Sequence, residues 1–379
     1  MLSKAISVVT LCALATFAND EGDKLDVKFE AFHDRNDVTA LSPIFLLSKS
    51  VANHVTVDWE GQWDVVTGAS RKIGTSGSSG GSSLDGVTGA SGNWENRFGS
   101  RVGATYANQG HVFSGSVYAS RENDYQSFSP AIGGAWDFGE RNTTVSWGGS
   151  WFFDKLIPYA AYAPYGGGAK RVQSYNLGLT QTLTPLSLVG VNATYTRTTG
   201  YIGHPYNPIQ STDSGLLGER LPESKDALAL AGQFLQGFRI GDLLGSASLE
   251  YRAYEDSWAL KSHTVTFKWT QHFSESTIFR LQGRWYRQWG AAFVKEAYAG
   301  NEQFITDDIR FFPFSSYLVG LKVMSEFPDS WPGYLPHRWN LSYDHLWRDT
   351  PGNVQLYQLY PANAWYQQGT ARAGLSWDL

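Results

Sequence analysis

The chain has 379 residues, with 30 Lys and Arg against 35 Asp and Glu for a formal charge of -5. So mild a balance argues against a nucleic-acid partner, whose footprint is a basic face. Beyond the leader, no stretch is long and uncharged enough to make a membrane helix, which needs roughly 20 apolar residues. The 15 Trp, 20 Tyr and 40 Gly suit a transmembrane β-barrel, where aromatic girdles mark both membrane interfaces. A soluble two-domain protein is the alternative that the length permits.

Taken in chain order, Met1 and Lys4 precede an apolar run from Ala5 to Ala18, with small residues at Ala15 and Ala18 before Asn19-Asp20-Glu21. This reads as a secretory signal peptide over 1–18. The one cysteine, Cys12, lies inside it, so the mature chain carries no thiol and depends on burial and backbone pairing for stability. Residues 19–50 form an N-terminal segment in which Leu25 to Phe32 alternates well enough to be an extra strand. Residues 51–379 are assigned to the barrel, interrupted by a Gly/Ser-rich loop over 67–93. Within that loop, Thr67-Gly68-Ala69-Ser70 recurs as Thr88-Gly89-Ala90-Ser91.

Periodicity carries the fold, because a strand between hydrocarbon and lumen must alternate apolar and polar residues. Ala247, Leu249, Tyr251 and Ala253 interleave with Ser246, Ser248, Glu250 and Arg252. Val265, Phe267 and Trp269 alternate with Thr266, Lys268 and Thr270, and Phe279, Leu281 and Trp285 with Arg280, Gln282 and Arg284. Trp339, Leu341, Tyr343 and Trp347 repeat the pattern, and Ala371, Ala373, Leu375, Trp377 and Leu379 form a closing strand. Tight turns are expected at Asn108-Gln109-Gly110, Gly139-Glu140-Arg141, Thr184-Pro185, Gly241-Asp242 and Ser274-Glu275-Ser276. Long loops are expected at Thr67 to Asn93, Lys155 to Lys170, Ile202 to Glu223, Gly290 to Asp307 and Thr350 to Ala364. The expectation is an all-β fold, a transmembrane antiparallel β-barrel of about 14 strands, between roughly 12 and 16, with short periplasmic turns and longer outer loops. Counting from Val51, a strand at Leu25 to Phe32 would demand either one further partner, which the alternation does not reveal, or a reversed assignment of loops to sides.

Several short motifs recur in order along the chain: Asp64 to Ser70 and Asp85 to Ser91, Ser120 to Ser127, Arg141-Asn142-Thr143-Thr144, Thr199-Gly200-Tyr201 with Pro205-Tyr206, Leu221 to Ser224, Tyr251 to Trp258 with Ser262-His263-Thr264, and Arg284 to Gln288. Together they resemble the outer-membrane family catalogued as domain of unknown function 3570. The resemblance implies a barrel in the cell outer membrane, in contact with its lipids and inserted by the barrel-assembly machinery. Members are encoded near a flavin-transferring enzyme, a thioredoxin-like protein and a small lipoprotein, which implies a periplasmic lipoprotein or redox partner. Its motifs point to Glu122, Asp124, Tyr125, Asp256 and Trp258 at strand-to-loop junctions. Where that family has an arginine after Pro-Glu, this chain has Ser224 followed by Lys225.

By alternation, Glu95, Arg97, Arg101, Glu250, Arg252, Lys268, His272, Arg280 and Arg284 face the lumen. Such a wall selects ions or small polar solutes, or else pairs across strands to stiffen the interior. Glu122, Asp124, Glu255 and Asp256 supply oxygens that suit calcium, although a cross-loop hydrogen-bond network accounts for them with fewer ligands. Ser262 and His263 are adjacent on a strand and so point to opposite faces, which defeats a nucleophile–base pair. No Gly-x-Ser-x-Gly or His-Glu-x-x-His motif occurs, so neither an enzyme nor a cofactor is expected. Trp285, Tyr286 and Trp289, and the Tyr159-Tyr162-Tyr165 series, read as girdle residues or as stacking platforms. Two functions follow: a channel for small polar or ionic solutes, and a structural barrel that docks a periplasmic partner.

Overall fold

In a computed structural model of the chain, residues 23–34, 39–67, 95–206, 209–306, 308–328, 332, 335–349 and 366–378 are described. The leader, both copies of the repeat beyond Thr67, and the loop from Thr350 to Ala364 lie outside them. The strands are β1 (Lys24–Asp34), β2 (Thr39–Ala52), β3 (Val55–Thr67), β4 (Glu95–Asn108), β5 (His111–Arg121), β6 (Tyr125–Phe138), β7 (Thr143–Leu156), β8 (Gly168–Thr184) and β9 (Ser187–Gly200). After a hairpin of β10 (Ile209–Ser211) and β11 (Gly215–Leu217) come β12 (Ser224–Ile240), β13 (Leu243–Asp256), β14 (Lys261–His272), β15 (Thr277–Trp289), β16 (Phe314–Glu326), β17 (Arg338–Arg348) and β18 (Tyr366–Asp378).

All but β10 and β11 pair antiparallel with their neighbours and close into one barrel, β18 returning to β1. The barrel therefore has 16 strands, at the top of the expected range of 12 to 16, and it begins at Lys24 rather than at Val51. Leu25 to Phe32 is indeed a strand, and its missing partner is β2. Two features hide β2 in the sequence. Ile44 and Leu46 lie between Leu41, Phe45 and Leu47, which blurs the alternation, and Pro43 reads as a break. Proline has no N–H to give a ladder, and the pairing of β2 with β3 is interrupted between Leu41 and Ile44. Pro130 does the same between β6 and β7.

Directly paired residues on antiparallel strands share a face, so one apolar register can be followed around the wall. Leu228, Leu230 and Phe234 give way to Leu249 and Tyr251, then to Phe267, Leu281, Trp285, Leu321, Tyr343 and Leu375. All of these side chains are exposed, on the face that a bilayer would cover.

The expected tight turns all sit on one rim, together with the connection at 53–54. Gln109 and Gly110 both take positive φ, 48° and 81°, as a two-residue hairpin turn requires. The strand ends that flank the expected long loops all lie at the opposite rim, along with the shorter connections at 122–124 and 257–260. One connection departs from the pattern: residues 327–337 join β16 to β17 on the short-turn rim.

The lipid face generates a paired test. Leu249→Arg, at the middle of β13 and 52% exposed on the outer face, should destabilise the barrel by about 2–4 kcal/mol. Ser114→Arg, on the inner face of β5 opposite Thr105 and Gly133, should cost less than about 1 kcal/mol; urea titration of the barrel folded into vesicles measures both.

Candidate functional site: the inner wall and the folded outer loops

The inner faces of β5 to β9 are lined by small polar residues, among them Ser114, Ser116, Ser129, Ser146, Ser174 and Thr194. Barrels of sixteen strands are wide enough to enclose an aqueous channel. The charged wall expected from alternation divides into two chemically different parts.

On β3 and β4 the charges are paired. Arg97 binds Asp64 and lies 4.0 Å from Glu122, and Arg101 lies 3.3 Å from Glu60. Glu95 pairs its backbone with Val66, but its side chain lies outside the described residues. Arg372 on β18 bridges Glu30 of β1 and Asp344 of β17, each at 2.5 Å.

On β13 to β16 the cations have no such partners. Arg252, Arg284, Lys268 and Arg280 occupy four successive rows of the sheet, because Thr264 pairs with Arg252, Thr266 with Arg284, Gln282 with Lys268 and Thr270 with Arg280. Each row lies about 7 Å further from the outer rim, at two residues per step. In the last row Arg280 is directly opposite Lys322 of β16. None of these five side chains has a carboxylate within the 4.0 Å of an ion pair among the described residues. Glu250 shares the wall, facing Thr266. His272 lies apart at the short-turn rim, opposite Ile278. Lys322, absent from the candidates drawn from alternation, was readable from the same period, since Tyr317, Val319, Leu321 and Val323 alternate with Leu318, Gly320 and Lys322.

The most deeply buried side chains, Tyr206, Ile305, Thr306 and Pro205, belong to the outer loops rather than to the wall. Loops 201–223 and 290–313 are knitted into one cap. Arg220 and Ile305 exchange backbone hydrogen bonds at 3.0 and 2.9 Å, and the Arg220 guanidinium donates to the carbonyls of Gly300 and Glu302, both at 2.8 Å. Ile209, Tyr298 and Ile305 form one small core of the cap, while Trp258, Leu260, Ala291 and Phe311 form another. Gln288 of β15 donates from Nε2 to the carbonyls of Arg310 and Phe312, at 2.7 and 2.8 Å, and anchors the second loop to the inner wall.

Of the family-motif residues, Asp124 and Trp258 contact this cap, while Glu122, Tyr125 and Asp256 hold the strand ends and turns beside it. Asp124 accepts a hydrogen bond from the Tyr206 hydroxyl, so loop 201–223 reaches the β5–β6 turn. Tyr159 and Tyr162 pack on the same Tyr206 ring, with centroids 6.0 and 4.9 Å away. Tyr125 accepts from Lys170 at 3.2 Å, and Lys170 also pairs with Asp154 at 3.2 Å. Glu122 closes its turn by donating its N–H to the Tyr125 carbonyl at 2.7 Å. Asp256 accepts from the amides of Trp258 and Leu260 at 3.0 and 3.1 Å, holding a turn in which Ala259 takes φ 64°. Trp258 donates from its indole to the Ser224 carbonyl at 2.9 Å and carries Lys225 5.0 Å from its ring.

The four acidic residues weighed for calcium do not converge. Asp124 and Asp256 serve separate turns, Glu122 faces Arg97, and Glu255 lies on the outer face 2.9 Å from Lys261. Ser262 and His263 do point to opposite faces: Ser262 is buried inside, while His263 stacks on Tyr251 at 5.7 Å and meets Trp289 at 5.3 Å. The tract from Trp285 to Trp289 is split by the wall, its tryptophans outside and Tyr286 inside, where its hydroxyl donates to Gln288 at 2.5 Å.

At the centre of the cap, Glu219 accepts from Thr306 Oγ1 and from the His204 amide at 2.6 Å. Burial, with Asp308 nearby, pushes its carboxyl up to about 8 despite those donors. Burial opposes ionisation of Asp308 too, but the Arg310 guanidinium clasped to it outweighs that and holds its carboxyl below the usual range.

A closed barrel with short turns on one rim, long loops on the other and an unbroken apolar belt is an outer-membrane β-barrel. The chain belongs to the family described as "Protein of unknown function (DUF3570)", matched over residues 5–368. No curated protein is similar to it in sequence. Among solved structures it is similar to one described as a bacterial polysaccharide outer membrane secretin, with TM-score 0.53 and 6% identity over 95% of this chain and 99% of that one. It is also similar to CdiB from Acinetobacter baumannii, with TM-score 0.52 and 9% identity over 94% of this chain and 60% of that one. OccD3 (OpdP) from Pseudomonas aeruginosa aligns over 95% of this chain and 92% of its own, with TM-score 0.47 and 9% identity. Identities this low speak to the fold alone.

The cap should loosen with alkali. Because the carboxyl of Glu219 sits above its ordinary value of 4.5, at about 8, the folded cap holds a proton that the opened loop releases. That stabilisation is complete below the ordinary value and is lost as pH rises through about 8. Amide exchange in 201–206 and 209–223 should be up to roughly a hundredfold faster at pH 9 than at pH 6, after correction for intrinsic rates, and Glu219→Gln should abolish the difference. Asp256→Ala strips two buried amides and Lys225 of their acceptor, and thermal unfolding should show a loss of about 1–3 kcal/mol.

Proposed function

We propose that this barrel is a diffusion pore of the outer membrane that favours small anionic solutes. The observation that carries the reading is the in-register pair Arg280 and Lys322, at the foot of a stair that descends from Arg252 through Arg284 and Lys268. Like charges directly opposite on neighbouring strands are destabilising. The chain bears that cost here, although it places carboxylates against Arg97, Arg101, Lys170 and Arg372 elsewhere inside the barrel. Fixed cations in a confined passage lower the energy of an anion at each step, and their spacing lets it pass from one to the next.

In planar bilayers under a KCl gradient, the purified barrel should give a reversal potential displaced toward that of chloride. Arg280→Gln with Lys322→Gln should lower the chloride-to-potassium permeability ratio by roughly threefold while leaving a conducting barrel. A folded barrel that carries no current, or one that prefers potassium, would refute the proposal; the first result would favour the docking role.

A further inference from the structure

Seven Arg and Lys side chains on the barrel strands project from the outer face: Lys49, Arg121, Lys155, Arg171, Arg197, Lys261 and Arg287. Four are engaged within the protein. Lys49 lies 3.5 Å from Asp23, Arg197 3.9 Å from Asp226 and Lys261 2.9 Å from Glu255, while Arg287 donates to Ser315 Oγ at 2.8 Å and rests 6.0 Å from the Trp289 ring. Arg121, Lys155 and Arg171 make no ion pair with any described residue. All three are exposed, and they lie together at the long-loop ends of β5, β7 and β8.

Their register makes them one patch. Arg121 pairs with Gln126, and Gln126 with Lys155, which sets the two cations two strands apart, or about 10 Å. Lys155 pairs with Ala169, so Arg171 is its diagonal neighbour, about 7–8 Å away. The adjoining carboxylates turn inward: Asp154 is committed to Lys170 inside the barrel, and Glu122 faces Arg97. Among the described residues, no anion on the outer face neutralises the three. Directly toward the membrane interior come Phe128 and Phe153, with rings 6.4 Å apart and each 48% exposed. Tyr175, Leu177 and Leu179 continue the apolar descent along β8.

We infer that this patch binds a phosphorylated lipid of the outer leaflet, specifically a glycolipid whose headgroup carries two phosphates. Cations at headgroup depth, aromatic rings below them and aliphatic side chains deeper match, level by level, the phosphates, sugar and acyl chains of such a lipid. Two phosphates on a disaccharide bridge cations separated by about 10 Å, where a single phosphate engages only one end of the patch. The site rests on the barrel and its orientation and is independent of the pore.

Native mass spectrometry of the barrel released from detergent, with bisphosphoryl lipid A, its monophosphoryl form, phosphatidylcholine or inorganic phosphate as the added ligand, tests this. The bisphosphoryl form should be retained most strongly, and its retention should fall as ammonium acetate is raised before transfer. Arg121→Gln, Lys155→Gln and Arg171→Gln combined should weaken it at least tenfold, roughly. Arg197→Gln with Lys261→Gln, which removes the paired cations of the same rim, should leave it unchanged. If the triple variant does not fold, Lys155→Gln alone and the salt dependence of the wild-type barrel decide the matter. Equal retention of the two lipid A forms, equal loss in the paired-cation control, or equal retention of inorganic phosphate would overturn the assignment.

Discussion

Everything in this molecule follows from one requirement on the backbone. A wall that faces hydrocarbon on one side finds no water there for its N–H and C=O groups, so every strand must have two neighbours. The first strand is thereby bound to the last, and β1 and β18 pair along their whole common length. Closure also forces the side chains into a strict division, because residues opposite one another share a face. Once Leu249 is outside, Phe267 must be as well, and so on around the circle. The two prolines within the wall are accommodated where a ladder locally lapses, in β2 and β6.

The same requirement leaves the interior free of the usual burden of a core. Stability supplied by the belt and the backbone allows the inner face to carry Ser, Thr and charge, and the burial typical of a globular domain moves to the outer loops. There Ile305 and Thr306 are wholly inaccessible, more so than any residue of the wall. A buried carboxylate, Glu219, sits among donors at the joint between the two loops. The strands thus act as a rigid frame, and the chemistry that can change with conditions is concentrated at one mouth. The uneven pairing of charge sharpens this division of labour: β3 and β4 are stitched by ion pairs, while β13 to β16 present cations to the passage.

Much of the wall was legible because alternation is a direct imprint of the two solvents on either side of it. Phe267 and Lys268, or Leu281 and Arg280, declare their faces without any knowledge of their neighbours. β2 was not legible, since Ile44 and Leu46 face inward at mid-strand and Pro43 imitates a loop. The cap was illegible for a different reason: its contacts join residues far apart in the chain, such as Asp124 with Tyr206 and Glu219 with Thr306, and no period records them. Motif residues such as Asp256 and Trp258 were visible as a pattern, but their role as tethers depends on the turn they close. Lys322 shows the intermediate case, a residue whose face was readable but whose meaning appears only when Arg280 is found opposite it.

The seam between β1 and β18 also sets the order in which the barrel can come into being. Glu30 and Arg372 are 342 positions apart, yet they share a hydrogen bond across that seam. Hairpins such as β4 with β5 or β12 with β13 can form from neighbouring sequence, whereas this contact waits for nearly the whole chain. Contacts of such long range are slow to form, and they leave open edges exposed in the meantime. Until its final strand arrives, β1 presents an unpaired edge that invites a partner from another chain. The step that completes the wall is therefore also the one that ends its susceptibility to misassembly.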